Sequence, residues 1–207
     1  MSIPLCFASN LLNIKTYVFE PNSVIGRTNK LALSFAEKII CYDKNLKGIS
    51  KKFSNKIYPI EPLLRKEIYK YQRNKKTIMD KKKKILIIGG SQGAKFFDEF
   101  VSKMITKMSK TYDISVLQQV IDHKSKQNIK DLYQKNHIEN VLFEFDEKLL
   151  LKAVNYDLAI TRSGASTISE LSYLNIPFVA IPFPYAKDNH QYYNAEFYKK
   201  NKCCWLI

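Results

Sequence analysis

No run of apolar residues in this 207-residue chain approaches the ~20 that a membrane-spanning helix needs. The stretch from 176 to 186 is broken by Pro177, Pro182 and Pro184. No basic segment precedes the modest apolar run after Met1, so nothing reads as a signal peptide and the expected compartment is the cytoplasm. Four cysteines, Cys6, Cys41, Cys203 and Cys204, contain no CxxC pair. Adjacent Cys203-Cys204 is poor geometry for a bridge or a metal, which argues against a disulfide framework and leaves Cys6 and Cys41 as small core residues. No His/Cys/Asp group has metal-ligand spacing, and no GxSxG elbow is present. Neither metal nor cofactor is called for. Acidic residues are also scarce, 19 against 34 Lys and Arg, for a net charge of +15. That charge suits a nucleic acid or an anionic membrane face, or it is a solvated surplus in a chain rich in Lys, Asn, Ile and Tyr. The lysines are scattered rather than interleaved with aromatics, so specific nucleic-acid binding is not expected; weak contact with anionic lipid fits better.

What is present is a soluble globular composition, 45% hydrophobic and 26% charged, at a length for one large domain or two small ones. From 85 onward strands and helices alternate. Strands are expected at 85–88, 113–117, 140–144, around Leu158 and at 177–181. Helices are expected at 94–108 (apolar stripe Phe97, Val101, Ile105), 124–134, 149–154, from the Ser/Thr loop through Leu174, and about 189–200. Strand-like 203–207 closes the chain. Such alternation implies an α/β parallel sheet whose ligands bind beyond the C-terminal strand ends. Before it, 5–12 and 29–38 read as helical, 15–19 and 39–42 as strands. The segment 60–84 holds Pro62, a polar helix and the lysine run Asp80-Lys-Lys-Lys-Lys84. The division expected is 1–62, a connection at 63–84, and 85–207. The first unit is small and starts abruptly, which suggests a missing piece.

Two small-residue loops sit where strands meet helices. Thr161-Arg-Ser-Gly-Ala-Ser-Thr-Ile-Ser-Glu170 places Ser163, Gly164, Ser166 and Thr167 at a helix start, where free N–H groups and the helix dipole favour a phosphate. Glu170, one turn in, is placed to accept from sugar hydroxyls. Gly89-Gly-Ser-Gln-Gly-Ala94 has neither the GxGxxG spacing nor a Walker lysine; Ser91 can offer a phosphate its hydroxyl or N–H. Each loop alone is equally an ordinary capped turn. In Tyr185-Ala-Lys-Asp-Asn-His-Gln-Tyr-Tyr-Asn-Ala195, Asp188 or Asn189 caps a helix on the plain reading, and His190 and Gln191 face the cleft on the functional one. His123 and His137 read as solvated.

Taken in order, these pieces resemble the MurG family, peptidoglycan N-acetylglucosaminyltransferases of the two-domain GT-B fold. Phe19-Glu-Pro-Asn22 with Gly26 and Thr28-Asn-Lys30 is similar to the family's His-Glu-Gln-Asn…Gly-x-Thr-Asn-Lys segment, and Glu61-Pro-Leu-Leu-Arg65 to its Gly-Asn-Pro-Val-Arg hinge. The loop at 89–94 matches Gly-Gly-Ser-Gln-Gly-Ala, 162–170 matches the Arg-Ser-Gly-Ala-x-Thr-x-Ser-Glu motif, and His190-Gln191 with Asn194-Ala195 matches His-Gln-x-x-Asn-Ala. The resemblance implies a partial N-terminal Rossmann-like unit and a mostly complete C-terminal Rossmann-like donor domain. It implies inverting transfer of N-acetylglucosamine from UDP-N-acetylglucosamine to the 4-hydroxyl of lipid I, at the cytoplasmic face of the inner membrane with peripheral contact to its anionic lipid.

Carried over by residue, Ser91 and Arg65 contact the diphosphate. Ala165, Ser166, Thr167, Ile168 and Ser169 hold phosphate and ribose, and Glu170 accepts from the ribose. Gln191, with His190, binds the N-acetylglucosamine hydroxyls, and Asn22 touches the donor from the first unit. Asp146 falls at the backbone position that contacts uracil. Phe19 and Pro21 depart from the family, and its N-terminal glycine-rich loop, which carries the expected base, is absent, as are its C-terminal helices; a fragment or truncated product is expected, and the catalytic residue stays unassigned. Alternatives are a non-catalytic donor-binding subunit of a split glycosyltransferase, or a UDP-sugar epimerase of the same fold.

Overall fold

A computed structural model describes residues 3–71, 81–90 and 94–207. They form two parallel sheets. Helix α1 (Ile3–Leu11) leads into β1 (Tyr17–Glu20); α2 (Arg27–Ala32) crosses to β2 (Lys38–Cys41), and β3 (Ile57–Pro59) completes a sheet ordered β1-β2-β3. Val18, Ile39 and Cys41 enter a core shared with Cys6, Leu33 and Ala36. Cys6 and Cys41 are thus core residues, as expected. Burial, helped by Asp43, pushes the Cys41 thiol up to about 11, so it is a poor nucleophile.

The second sheet holds β4 (Lys83–Ile88), β5 (Ile114–Gln119), β6 (Glu139–Phe143), β7 (Leu158–Thr161), β8 (Phe178–Ala180) and β9 (Cys204–Leu206). Its order is β6-β5-β4-β7-β8-β9, every pair parallel. Between the strands lie α3 (Ala94–Phe96) and α4 (Ser102–Met108), joined by a π-helical turn at Phe97–Val101, then α5 (His123–Lys135), α6 (Leu149–Ala153), α7 (Ala165–Tyr173) and α8 (His190–Lys200). The central strand explains the two-sided packing. Alternate side chains leave opposite faces of a strand. Ile85 and Ile87 meet the Phe97, Val101 and Ile105 stripe with Ile129 and Tyr133. Leu86 and Ile88 meet Ile168, Leu171 and Leu174 of the α7 side and Ala195 of α8. The chain runs outward from β4 to β6, then returns to β7 on β4's other side. That reversal opens a crevice between the loops that follow β4 and β7.

Gly90, just past β4, has φ +65°, and its N–H donates to Gln119 Oε1 at 3.1 Å. A side chain there would meet no neighbour, so the cost of one is conformational. Gly90→Ala is expected to destabilise the chain by about 1 kcal/mol, read as a lower urea midpoint with unchanged slope. At the far end of α7, Asn175 turns left-handed (φ 54°) while Ile176 N–H reaches Leu171 O at 3.0 Å, a Schellman-type stop.

The structure departs from the sequence expectations at identifiable points. The helix expected over 29–38 ends at Ala32, because Lys56 Nζ binds the Leu33 and Ala36 carbonyls and closes the chain into β2. Strand β3 has no apolar alternation, since Tyr58 is exposed and Pro59 follows it. Of the segment read as a connection, 63–71 is a strap docked on the second sheet: Ile68 is buried in its core and Leu64 packs beside it. The polar helix expected there appears only as a single 3₁₀ turn, Ile68–Lys70; the rest lies outside the described residues. Asn189 makes no side-chain cap on α8, and Asp188 turns to Arg27 Nε at 3.3 Å; both residues are left-handed, φ 53°. Among the described residues no helix is long and apolar enough to cross a membrane.

Candidate functional site

Helix α7 begins right after the buried end of β7. Gly164 occupies its N-cap with extended φ and ψ and offers no side-chain bond, so the first-turn amides face outward with the positive end of the dipole. The loop before it is held rigidly. Arg162 is buried; its Nη1 donates to Ile181 O (3.1 Å) and Pro182 O (2.9 Å), and its guanidinium lies 5.0–5.5 Å from the rings of Phe96, Phe97 and Phe183. Its Nε has no hydrogen-bond partner among the described residues. Burial lowers its affinity for the proton, yet a guanidinium starts so high that it stays charged. Gln191 Oε1 ties two strand ends together, accepting from Ser163 N–H (3.3 Å) and Phe183 N–H (2.9 Å).

A pocket of about 360 Å³ opens at this crevice, lined by Arg65, Asp146, Ser166, Thr167 and Glu170 with the apolar Leu63, Ile88 and Leu149. It therefore unites five of the residues singled out from sequence. Arg65 reaches it from the strap and clasps Glu170 with both ends of its fork, Nε to Oε1 at 2.9 Å and Nη2 to Oε2 at 3.0 Å. Its third contact is Nη1 to Glu147 O at 2.7 Å. The hydrogen bonds to Glu170 raise the Arg65 pKa, so this is a fixed cation at a helix start. Asp146 accepts from Lys148 N–H at 2.8 Å and pairs with Lys152, which holds its carboxyl below the usual range.

Other expected residues lie elsewhere. Ile168 points into the core beneath α7. Ser169 Oγ donates to Ser166 O (2.8 Å) and faces the opposite side of the helix, towards Tyr198. Ala165 sits in the first turn without lining the pocket. Asn22 and His190 line a separate pocket of about 360 Å³ between the β1–α2 loop and the start of α8. His190 Nδ1 there lies 2.8 Å from Lys187 O. Ser91 lies outside the described residues.

The reading from sequence gave no role to three residues that build these walls. Glu20, buried with no cation paired to it among the described residues, accepts from Asn22 N–H and Nδ2, Gly26 N–H and Asn29 Nδ2 at 2.8–3.1 Å, which shapes the loop after β1. Gly26 is needed beside it, since a Cβ would come within 3.3 Å of Glu20 Oε2. Asn194, buried on α8, joins the two sheets: Oδ1 accepts from Ser23 N–H (2.8 Å), and Nδ2 donates to Asn22 Oδ1 (2.9 Å) and Ser163 O (3.1 Å). Arg162 is the third. The available signal was their place inside the quoted motifs, at Glu20, Arg162 and Asn194, which marks the residues but not their partners. Among the described residues no group of His, Cys, Asp and Glu could hold a metal. The main pocket offers a cation, helix amides and a carboxylate, a set suited to a phosphorylated ligand bearing hydroxyls.

Comparison with known proteins agrees with this chemistry. Residues 84–207 match the model of the glycosyltransferase family 28 C-terminal domain. A Pelagibacter ubique UDP-N-acetylglucosamine–N-acetylmuramyl-(pentapeptide) pyrophosphoryl-undecaprenol N-acetylglucosamine transferase is 44% identical over 210 residues, which take in 100% of this chain and 57% of the relative. The like-named protein of Rickettsia canadensis is 38% identical, over 97% of this chain and 57% of its own length. The chain thus spans a little over half the length of these curated relatives. Among solved structures, Acinetobacter baumannii MurG superposes with a TM-score of 0.76 at 25% identity, covering 99% of this chain and 56% of that one. A Methanocaldococcus jannaschii UDP-GlcNAc 2-epimerase shares the fold, with TM-score 0.58 at 13% identity over 99% of this chain and 62% of the other.

Proposed function

The chain belongs to glycosyltransferase family 28 and, within it, to the MurG proteins, and from that premise we propose that it transfers N-acetylglucosamine from UDP-N-acetylglucosamine to lipid I to give lipid II. The observation that carries the reading is the pocket in which Arg65 and Glu170 meet Ser166 and Thr167 at the start of α7. The diphosphate would lie against the α7 amides and Arg65, and the ribose hydroxyls would donate to Glu170, sharing it with Arg65. Gln191 and His190 would meet the sugar. In this reading residues 1–62 are part of the acceptor-side domain and 85–207 are the donor-binding domain.

The chemistry asks for charge stabilisation more than for a metal. The acceptor 4-hydroxyl oxygen bonds to the anomeric carbon as the bond to the UDP oxygen breaks, with inversion. The acceptor proton passes to a general base, and the electron pair leaves with UDP. A fixed guanidinium and oriented amides, already paid for in folding, stabilise that leaving charge. The test is radiolabelled UDP-N-acetylglucosamine with a lipid I analogue. A β-linked labelled disaccharide lipid is expected; a 2-epimerised sugar as the product would contradict the reading.

The same proposal places the chain peripherally at an anionic membrane. Leu5, Phe7, Leu11 and Leu12 on and beside α1, with Leu31 of α2, are exposed, on a chain of net charge +15. Cosedimentation with phosphatidylglycerol vesicles is expected to exceed that with phosphatidylcholine, and to fall in the double variant Leu11→Glu, Leu12→Glu. Equal sedimentation of both proteins with both lipids would contradict it.

A further inference from the structure

Strand β5 lies between β4 and β6 in the sheet. Its pairing with β4 ends at Ile87–Gln118, and its pairing with β6 at Gln119–Phe143. The side chain of Gln119, the last residue of β5, carries both ladders one step further. Its Oε1 accepts from Gly90 N–H at 3.1 Å, and its Nε2 donates to Glu144 O at 3.1 Å. One side-chain amide thus stands in for a peptide unit and joins the loop after β4 to the loop after β6. Only one orientation of the amide serves both partners, because an N–H needs an acceptor and a carbonyl needs a donor.

This bracket lies behind the wall of the main pocket. Ile88 and Asp146 line the pocket, whereas Gln119 does not. Gly90 comes two residues after Ile88, and Glu144 two residues before Asp146. Strands β4 and β6 are not neighbours, so no ladder of their own sets the separation of these two wall residues. Gln119 spans it instead. The pocket lining also divides by chemistry. Arg65, Ser166, Thr167 and Glu170 supply charge and hydrogen bonds, the end read above as the place of the diphosphate and ribose. Leu63, Ile88 and Leu149 are apolar, with Asp146 beside them. A flat ring with polar edges fits that second end.

We propose that Gln119 is a positioning residue that fixes the width of the base end of this pocket, and so sets a preference for a pyrimidine over a purine nucleotide. The inference rests on the donor-binding reading given above. Gln119 touches no ligand in it and acts through the backbone of Gly90 and Glu144. A purine is broader than a pyrimidine by a fused ring. A fixed span therefore turns size into discrimination, and a slack one admits both.

Calorimetry with UDP and with ADP is the test, because the two share ribose and diphosphate and differ only in the base. The unmodified chain is expected to favour UDP by at least about tenfold. Gln119→Met keeps the length of the side chain and removes both hydrogen bonds; it is expected to cut that preference about 3- to 10-fold. Gln119→Glu keeps the acceptor for Gly90 N–H but sets a carboxylate against Glu144 O, and is expected to cut the preference as well. Equal weakening of UDP and ADP would mark a general loosening and overturn the inference. Unchanged affinities in both variants, or an unmodified chain that binds UDP and ADP alike, would overturn it too. Absence of binding of either nucleotide to the unmodified chain would overturn the donor-binding reading and the inference with it, so the two failures are distinguishable. A second readout needs no ligand. By NMR, the Gly90 amide is expected to exchange faster in Gln119→Met than in the unmodified chain or Gln119→Glu, while the Leu86 amide of β4 is unchanged. Equal exchange at Gly90 in all three would overturn the bracket. Thermal midpoints identify a variant that fails to fold, and Gln119→Glu carries the test if Gln119→Met does.

Discussion

Arg65→Ala is expected to weaken the binding of UDP-N-acetylglucosamine roughly 10- to 150-fold, or about 1.5–3 kcal/mol for losing charged hydrogen bonds to a diphosphate. The reason is geometric. The guanidinium is the cation of the main pocket, and its fork is already oriented by Glu170 and the Glu147 carbonyl. Little ordering is left to be done when the donor arrives. Arg65→Lys should recover only part of the loss, because an ammonium is a point charge and cannot hold the carboxylate with two parallel bonds. Stability should change far less. Glu170 is buried, but its partner's side chain is 47% exposed, so water compensates much of the broken pair and the cost is about 1 kcal/mol. Equilibrium dialysis on folded variants separates the two effects. Equal donor affinity in the unmodified chain and Arg65→Ala would remove Arg65 from the diphosphate.

Asn194→Ala is expected to be the most destabilising of these single changes, by about 2–4 kcal/mol, with a thermal midpoint lower by about 5–15 °C. Its side-chain amide makes three hydrogen bonds at once, to Ser23 N–H, Asn22 Oδ1 and Ser163 O. Alanine would leave groups of two different loops unsatisfied, and each buried polar group without a partner carries its desolvation cost. The bridge also sets where the β1–α2 loop sits relative to the β7–α7 loop. Loss of Asn194 should therefore loosen the Lys47–Glu196 contact nearby, where Nζ lies 2.7 Å from Oε2 and 4.0 Å from the Tyr193 ring. Asn22→Ala removes one of the three bonds and should cost correspondingly less. A midpoint unchanged in Asn194→Ala, followed by tyrosine fluorescence or circular dichroism, would show that the bridge does not hold the two sheets together.

What could be read from the sequence was whatever depends on local pattern. Residues 85–88 of β4 read as a buried strand because they are a short apolar run bounded by lysines and glycines, and the structure extends the strand back to Lys83. The stripe Phe97, Val101 and Ile105 reads as one helical face and packs as one, although a π turn interrupts the helix there. The small-residue loop before α7 was legible for the same reason. Partners distant in sequence were not. Arg65 and Glu170 lie 105 residues apart, so their separate assignments to diphosphate and ribose gave no sign that they clasp each other. The early end of α2 depends on Lys56, 20 residues beyond Ala36. Asp188 looked like a helix cap because its residue type favours one, but a left-handed backbone and Arg27 claim it. Ile168 and Ser169 belong to the motif by sequence, while helical geometry turns them away from the pocket that Ser166, Thr167 and Glu170 line.

The central claim is that the pocket at the start of α7 holds a UDP-sugar, and titration calorimetry of UDP-N-acetylglucosamine into the unmodified chain and into Glu170→Ala tests it most directly. Saturable one-to-one binding to the unmodified chain is predicted, displaced by UDP and weakened about tenfold or more in Glu170→Ala. Absence of binding to either protein, or equal binding to both, would contradict the account.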